Sequence, residues 1–315
     1  MNLTKWPVKT GLIFLNLISP KTRSVILKVI CLSIFTIWYT EKVIPQSKEY
    51  LMYSIGNSHT ADFEPFSGFR SIATSEGIKL NNGWHINCGS SLYSIWLNPE
   101  RTCVEVNCYG RFLTALASEP WDIITVQPFV GSEGSQEKEA AENIINYALS
   151  NRKNDSISFF LYCTWPMNTS YPLTEFDFSQ AWLKPYVNEK DDAVISREFF
   201  NYLVDSVRNR FPKVKIGYIP VGEVFYLFHE SAQKGLIPGF KSAGELYRDQ
   251  WHLNNVGRYI ASLTVYCIAL KKNPEIVTDF NGFTTSSSWP SDRIISPEQK
   301  VIFRNIVSRV ILSLH

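Results

Sequence analysis

Charge of either sign is scarce in this chain, and histidine is scarcer. Of its 315 residues 19% are charged, the formal net charge is only +2, and the basic residues are scattered. A nucleic acid would need them clustered on one face, so no nucleic-acid partner is expected. Neither Gly-x-Gly-x-x-Gly nor Gly-Lys-Ser/Thr occurs, which removes the loops that cradle a dinucleotide or a nucleotide phosphate. The six Cys and five His show no zinc-ligand spacing, so neither a metal nor a cofactor is expected. No internal repeat or second composition regime divides the chain, and its 45% hydrophobic content is that of a folded protein.

The N-terminus stands apart. Lys5, Lys9, Lys21 and Arg23 precede "SVILKVICLSIFTIWYT", Ser24 to Thr40, with a shorter apolar patch at Gly11 to Ile18. Positive residues ahead of an apolar run mark an export signal or a signal anchor. The run is near the lower limit for spanning a bilayer, roughly 17 residues, and Lys28 lies close enough to its cytoplasmic end to snorkel. No small-x-small cleavage site follows. The expectation is a cytoplasmic tail, uncleaved anchor and linker over residues 1–47. The body, 48–315, would then lie outside the cytoplasm, periplasmic or extracellular, or be secreted if the segment is cut. An amphipathic helix packed on the body is the other reading. In an exported body Cys103 with Cys108, or Cys88 with either, can form a disulfide, while Cys163 and Cys267 fall in apolar runs and read as buried thiols.

Beyond the anchor, strand-length apolar runs alternate with helical patterns. "YLMYSIG" (Tyr50 to Gly56), Trp121 to Phe129, Ser156 to Trp165 and Val214 to Gly222 are nearly continuous apolar runs, as strands covered on both faces require. Helix patterns cover Ala61 to Glu76, Tyr109 to Ser118, Ser135 to Lys153, Ala193 to Arg210 and Val256 to Lys271, and a last one starts at Ser296-Pro297. Ser135 to Lys153 opens without a capping box. This alternation predicts one α/β domain, a parallel sheet with helices on both faces. Sites in such sheets form beyond the carboxyl ends of the strands.

At one such end "GNSHT" follows the first run, with Ser58 on the turn. A serine needs a base, and of the five His only His252 has an Asp three residues ahead, in "RDQWHLNNVGRY". Asp249 on a turn can reach imidazole Nδ1, so that Nε2 faces a nucleophile. A polar helix entry capped by Asn254 or Asn255 is the competing reading of that tetrad. His85, in a strand pattern, reads as a core residue.

Together the two pieces make the sequence resemble the SGNH hydrolases, also called the GDSL family, from Tyr50 to about Lys272. "GNSHT" stands where that family has Gly-Asp-Ser-x-Ser, "DQWHLN" with Gly257 and Tyr259 looks like its closing block, and "INCGSSLYSIW" supplies Gly89. "WDIITVQPF" takes the place of the third block, with Gln127-Pro128 where the family has Gly-x-Asn-Asp. A bacterial branch beginning Gly-Asn-Ser is similar in carrying Gln there. The resemblance implies a three-layer α/β/α flavodoxin-like fold and a triad of Ser58, Asp249 and His252. It also implies an oxyanion hole made by the Ser58 N–H, the Gly89 N–H and the Gln127 amide; each such donor stabilises a transition state by roughly 3 kcal/mol. A structural Gln at a strand end is the alternative for Gln127.

The stretch Thr164 to Asp192 is long for a connection and aromatic, with Trp165, Tyr171, Phe176, Trp182 and Tyr186. Such loops serve as binding segments, or pack their aromatics into a satellite core. Asn57, His59, Trp165 and Trp182 are the candidates for substrate contact; a turn-exposed position is the alternative for His59, and for Asn57 the alternative is a residue that holds the turn by hydrogen bonding to nearby backbone, as the resemblance implies. These features suggest an esterase removing O-acetyl groups from a small-molecule or glycan ester, with the membrane as partner of the N-terminal segment. An envelope O-acyltransferase with the same triad, or a non-catalytic binding protein, are the alternatives.

Overall fold

The computed structural model describes residues 49–64, 68–173, 176–278 and 292–314. Five strands form its sheet: β1 (Glu49–Gly56), β2 (Lys79–Ile86), β3 (Ile123–Val126), β4 (Ser158–Cys163) and β5 (Lys215–Pro220), ordered β2-β1-β3-β4-β5. Every pairing is parallel, from Glu49↔Lys79 through Gly56↔Ile86 at one side to Ser158↔Lys215 through Cys163↔Pro220 at the other. The central strands are apolar along their length because both faces are covered; all four residues of β3 are buried.

Helices divide into two groups that pack among themselves. One holds α3 (Leu92–Leu97), α4 (Phe112–Ser118), α5 (Gly134–Asn151) and α7 (Arg197–Arg210). The other holds α2 (Phe69–Ser75), α8 (Val221–Gln233), α9 (Asn255–Ala269) and α10 (Pro297–Leu312). Two short helices complete the set: α1 (Ser58–Ala61), at the end of β1, and α6 (Phe178–Trp182), packed on α8. The fold is three-layer α/β/α with flavodoxin-like strand order. In that order the chain reverses direction across the sheet between β1 and β3, and the crevice at their carboxyl ends is where such folds bind ligands.

The expected helix from Ala61 to Glu76 is instead two, α1 and α2, with 65–67 outside the described residues. The run read to Gly222 as strand stops at Pro220, and α8 begins at once. The cap of α5 lies one residue ahead of the helix. Glu133 accepts from the Gln136 N–H and the Gln136 side chain accepts from the Glu133 N–H, a capping box missed because its acceptor is a Glu. Ser296 caps α10 with Pro297 at the first position, as the sequence predicts.

Cys88 and Cys103 form a disulfide, Cys108 is an exposed thiol, and Cys163 and Cys267 are buried thiols whose pKa burial drives upward. Past Cys103 the chain runs antiparallel along the outer edge of β2. The Cys103 N–H donates to the Ile86 carbonyl, Trp84 Nε1 to the Glu105 carbonyl and Asn107 Nδ2 to the Asn82 carbonyl. Two carbonyls of that edge, Asn82 and Ile86, are thus occupied, and the segment lies where another strand would otherwise pair. The expected anchor, Ser24 to Thr40, lies outside the described residues; among those described, no helix is long and apolar enough to cross a membrane.

Candidate active site

The turn after β1 is built by Gly56, Asn57 and Gln127. A Cβ on Gly56 would lie 2.6 Å from Gln127 Oε1, so only glycine fits there. Asn57 caps α1 by accepting the His59 N–H (2.9 Å), and its Nδ2 donates to the Ser90 carbonyl (2.9 Å). Ser58 is thereby the first residue of the helix, partly exposed, in the position where backbone N–H groups have no intrahelical acceptor.

Gln127 is buried behind this turn. Its Oε1 accepts from the Asn57 N–H (3.0 Å), the Thr60 N–H (3.1 Å) and Thr60 Oγ1 (2.8 Å), and its Nε2 donates to Asn57 Oδ1 (3.0 Å). Of the amide expected to donate to an oxyanion, Oε1 and one Nε2 N–H hold the turn.

Gly89 is exposed, with φ +66°, a conformation that favours glycine, and open space faces it where a Cβ would be. Neither its N–H nor that of Ser58 has a hydrogen-bond partner among the described residues. The Asn57–Ser90 hydrogen bond ties the two turns together, and the disulfide at Cys88 holds the far side of this loop.

Asp249 and His252 meet as their spacing predicts. His252 Nδ1 lies 2.8 Å from Asp249 Oδ2 and 3.0 Å from Oδ1, and Asp249 Oδ1 also accepts the Trp251 and His252 backbone N–H groups at 2.8 Å each. Partial burial pushes the Asp249 pKa up. The two N–H groups and the imidazole outweigh it, so the carboxyl sits below its ordinary value. An ionised Asp on Nδ1 assigns the proton to that nitrogen and leaves Nε2 as the base. Asn254 caps α9, accepting from the Val256 and Gly257 N–H groups, so the capped helix entry and the Asp249–His252 contact occur together. Ser58 Oγ makes no hydrogen bond to His252 in this structure. The next residue, His59, brings its ring to 6.2 Å from that of His252.

All four residues expected to touch substrate are buried: Asn57, His59, Trp165 and Trp182 are at most 2% exposed. Asn57 is used in the turn. Trp165 donates from Nε1 to the Trp251 carbonyl (2.7 Å), bracing the His252 turn from the loop after β4. Trp182 packs over Gly222, where any side chain would collide with its ring, and donates to Glu223 Oε2 (2.8 Å). The buried aromatics of this stretch, Phe176 and Phe178 included, join the main core instead, with Trp165 and Phe178 against Phe225 and Phe176 against Tyr247. His59 is buried rather than turn-exposed: its ring stacks on Trp165 (4.5 Å between centroids, 8° between planes) and meets Phe129 edge-on at 4.8 Å. Burial, and then the nearby His252, hold its pKa well below the usual histidine value, against a weaker pull from Asp249. It is a neutral, apolar-packed wall. His85 and His229 are buried too, each accepting a backbone N–H at Nδ1.

Two residues at the site escape a local reading. Trp251, between Asp249 and His252, is partly exposed, 5.4 Å from Phe129 and 6.0 Å from His59 between ring centroids. Glu137 is fully buried on α5 and gathers four donors: the Leu92, Tyr93 and Phe129 N–H groups and Ser132 Oγ, at 2.6–3.1 Å. It holds the start of α3 against the loop after β3, the two segments that follow Gly89 and Gln127. Burial pushes its pKa up against the pull of those donors. Its signal was present, since Glu137 shares the stripe of Ala140, Ala141 and Ile144, where a solvated Glu does not belong.

No known family's sequence pattern matches the chain, and no curated protein matches it in sequence. Among solved structures, a DUF4886 family protein from Bacteroides uniformis is similar at a TM-score of 0.58 and 19% identity, covering 84% of this chain and 95% of that one. At that identity the likeness shows the fold. More distant structures include a putative acylhydrolase from Bacteroides fragilis (TM-score 0.38, 11% identity, 74% and 94% of the two chains). A GDSL-like lipase from Bacteroides thetaiotaomicron is as distant (TM-score 0.38, 11% identity, 70% and 88%).

Proposed function

We propose that the chain is a serine esterase of the SGNH type, acting through Ser58, His252 and Asp249. The carrying observation is the Asp249–His252 pair, with a carboxylate on Nδ1 and two backbone N–H groups fixing that carboxylate, on a turn adjoining the helix whose first residue is Ser58. Ser58 Oγ attacks the ester carbonyl while His252 Nε2 takes its proton, and Asp249 stabilises the imidazolium. Negative charge on the carbonyl oxygen is met by the unpartnered N–H groups of Ser58 and Gly89. Collapse expels the alcohol, which receives the proton from His252. Water, deprotonated by His252, then hydrolyses the acyl-Ser58 ester and restores the serine.

The substrate we propose is an O-acetyl ester of a carbohydrate, met by the catalytic domain outside the cytoplasm on a membrane anchor. With Trp165 and Trp182 buried, support for a sugar passes to the partly exposed ring of Trp251. The test is hydrolysis of a short-chain chromogenic ester by the chain from Pro45 onward, beside Ser58→Ala and His252→Ala, followed by acetate release from acetylated glycans. Activity abolished in both variants with folding intact is the expected result. Equal rates in all three proteins overturn the triad, and a preference for long-chain lipid esters overturns the glycan.

A further inference from the structure

Asp62 lies four residues after Ser58, one helical turn on, and its carboxylate is fully buried. Its partners come from the far end of the chain. Oδ2 accepts the Leu253 N–H at 2.9 Å, Oδ1 accepts Arg258 Nε at 2.9 Å, and Arg248 Nη2 stands 3.8 Å from Oδ1. Arg248 and Leu253 are the residues immediately before Asp249 and after His252, and the Arg248 N–H closes the same turn on the His252 carbonyl (2.9 Å). One side chain next to the nucleophile therefore grips both ends of the tetrapeptide that carries the acid and the base.

A buried carboxylate is costly, and apolar packing of the same volume is often at least as stabilising as a buried ion pair. What the ionic arrangement adds is direction. Each donor accepts one line of approach, so the turn cannot slide relative to α1 without losing a charged hydrogen bond. The loop after β4 also braces this turn, through Trp165 Nε1 on the Trp251 carbonyl and the Asn168 N–H on the Gln250 carbonyl (2.8 Å). Those bonds refer it to β4. The Asp62 hydrogen bonds and ion pairs refer it to the helix that carries Ser58, where His59 adds ring contacts with Trp251 and His252.

We propose that Asp62 is the positioning residue of the site, setting the register between Ser58 Oγ and His252 through Leu253, Arg258 and Arg248. The inference rests on the esterase reading above. Its test uses Asp62→Asn, which keeps an acceptor for the Leu253 N–H but no charge for the guanidiniums, and Arg258→Gln, which leaves Asp62 in place. Both are assayed beside the parent and Ser58→Ala, at a temperature where circular dichroism shows each folded. The expected result is a fall in kcat of about 10- to 100-fold, the cost of displacing a catalytic group by around an ångström, with KM within about twofold. The rate at which a phosphonate ester labels Ser58 should fall by a similar factor, because it needs the same proton transfer. A role in stability alone would lower the melting temperature and leave both rates unchanged in the folded variants, and that outcome overturns the inference while the esterase reading stands. Should Asp62→Asn not fold, Arg258→Gln decides. A parent that hydrolyses no ester overturns both.

Discussion

Glu64 is buried two residues after Asp62, with Arg70 Nη2 3.3 Å from Oε1. Burial raises its pKa from 4.5 to about 7. A raised folded-state pKa contributes stability that is full below pH 4.5 and lost as pH climbs through about 7. The span corresponds to about 3 kcal/mol. Glu64→Gln removes that dependence, so it should match the parent near pH 4 and exceed it by up to about 3 kcal/mol at pH 8, read from urea unfolding at the two pH values. Gln127 makes the opposite case, a neutral side chain whose hydrogen bonds hold the turn that carries Ser58. Gln127→Ala strands buried N–H groups, and we expect about 2–4 kcal/mol of lost stability together with reduced kcat. An oxyanion donor would instead show a kcat loss of roughly 10²–10³ at unchanged stability.

At the scale of elements, the stretch from Thr164 to Asp192 gives up its expected role to the turn before α9. Trp182→Ala should cost about 3–5 kcal/mol, as large buried aromatics do, and leave KM for any ester unchanged. Trp251→Ala should do the reverse, raising KM for a glycan ester with stability within about 1 kcal/mol; paired denaturation and steady-state assays check both. The loop carrying Gly89 depends on the disulfide that closes a span of 15 residues. Reduction should remove about 3 kcal/mol of stability and lower kcat, recovered on reoxidation. What was legible in these elements followed local rules. The apolar run of β1 and the Ser296-Pro297 start of α10 were readable, as was the Asp-x-x-His turn. The helix α8 was not, because it follows β5 without a break, so its apolar start at Val221 reads as more strand, and it has no side-chain cap at Pro220. Asp62 was invisible for a different reason: its partner Leu253 stands 191 residues away, and no window along the chain contains both.

At the scale of the molecule, alternation of apolar runs and helical stripes was enough for the parallel sheet and its covered faces, whereas the strand order became known only from the pairing itself. That order has a consequence for how the protein can be divided. β5 pairs only with β4 among the described strands, and the exposed residues Pro212 and Lys213 precede it. Everything before that point holds Ser58, Gly89 and the four other strands; everything after it holds Asp249, His252 and the helices α8 to α10. A chain cut there would yield two polypeptides, each inert alone, that meet along one β ladder and the helices flanking it. Esterase activity on mixing would then report their reassociation, with Asp62 as the contact through which one fragment senses the other.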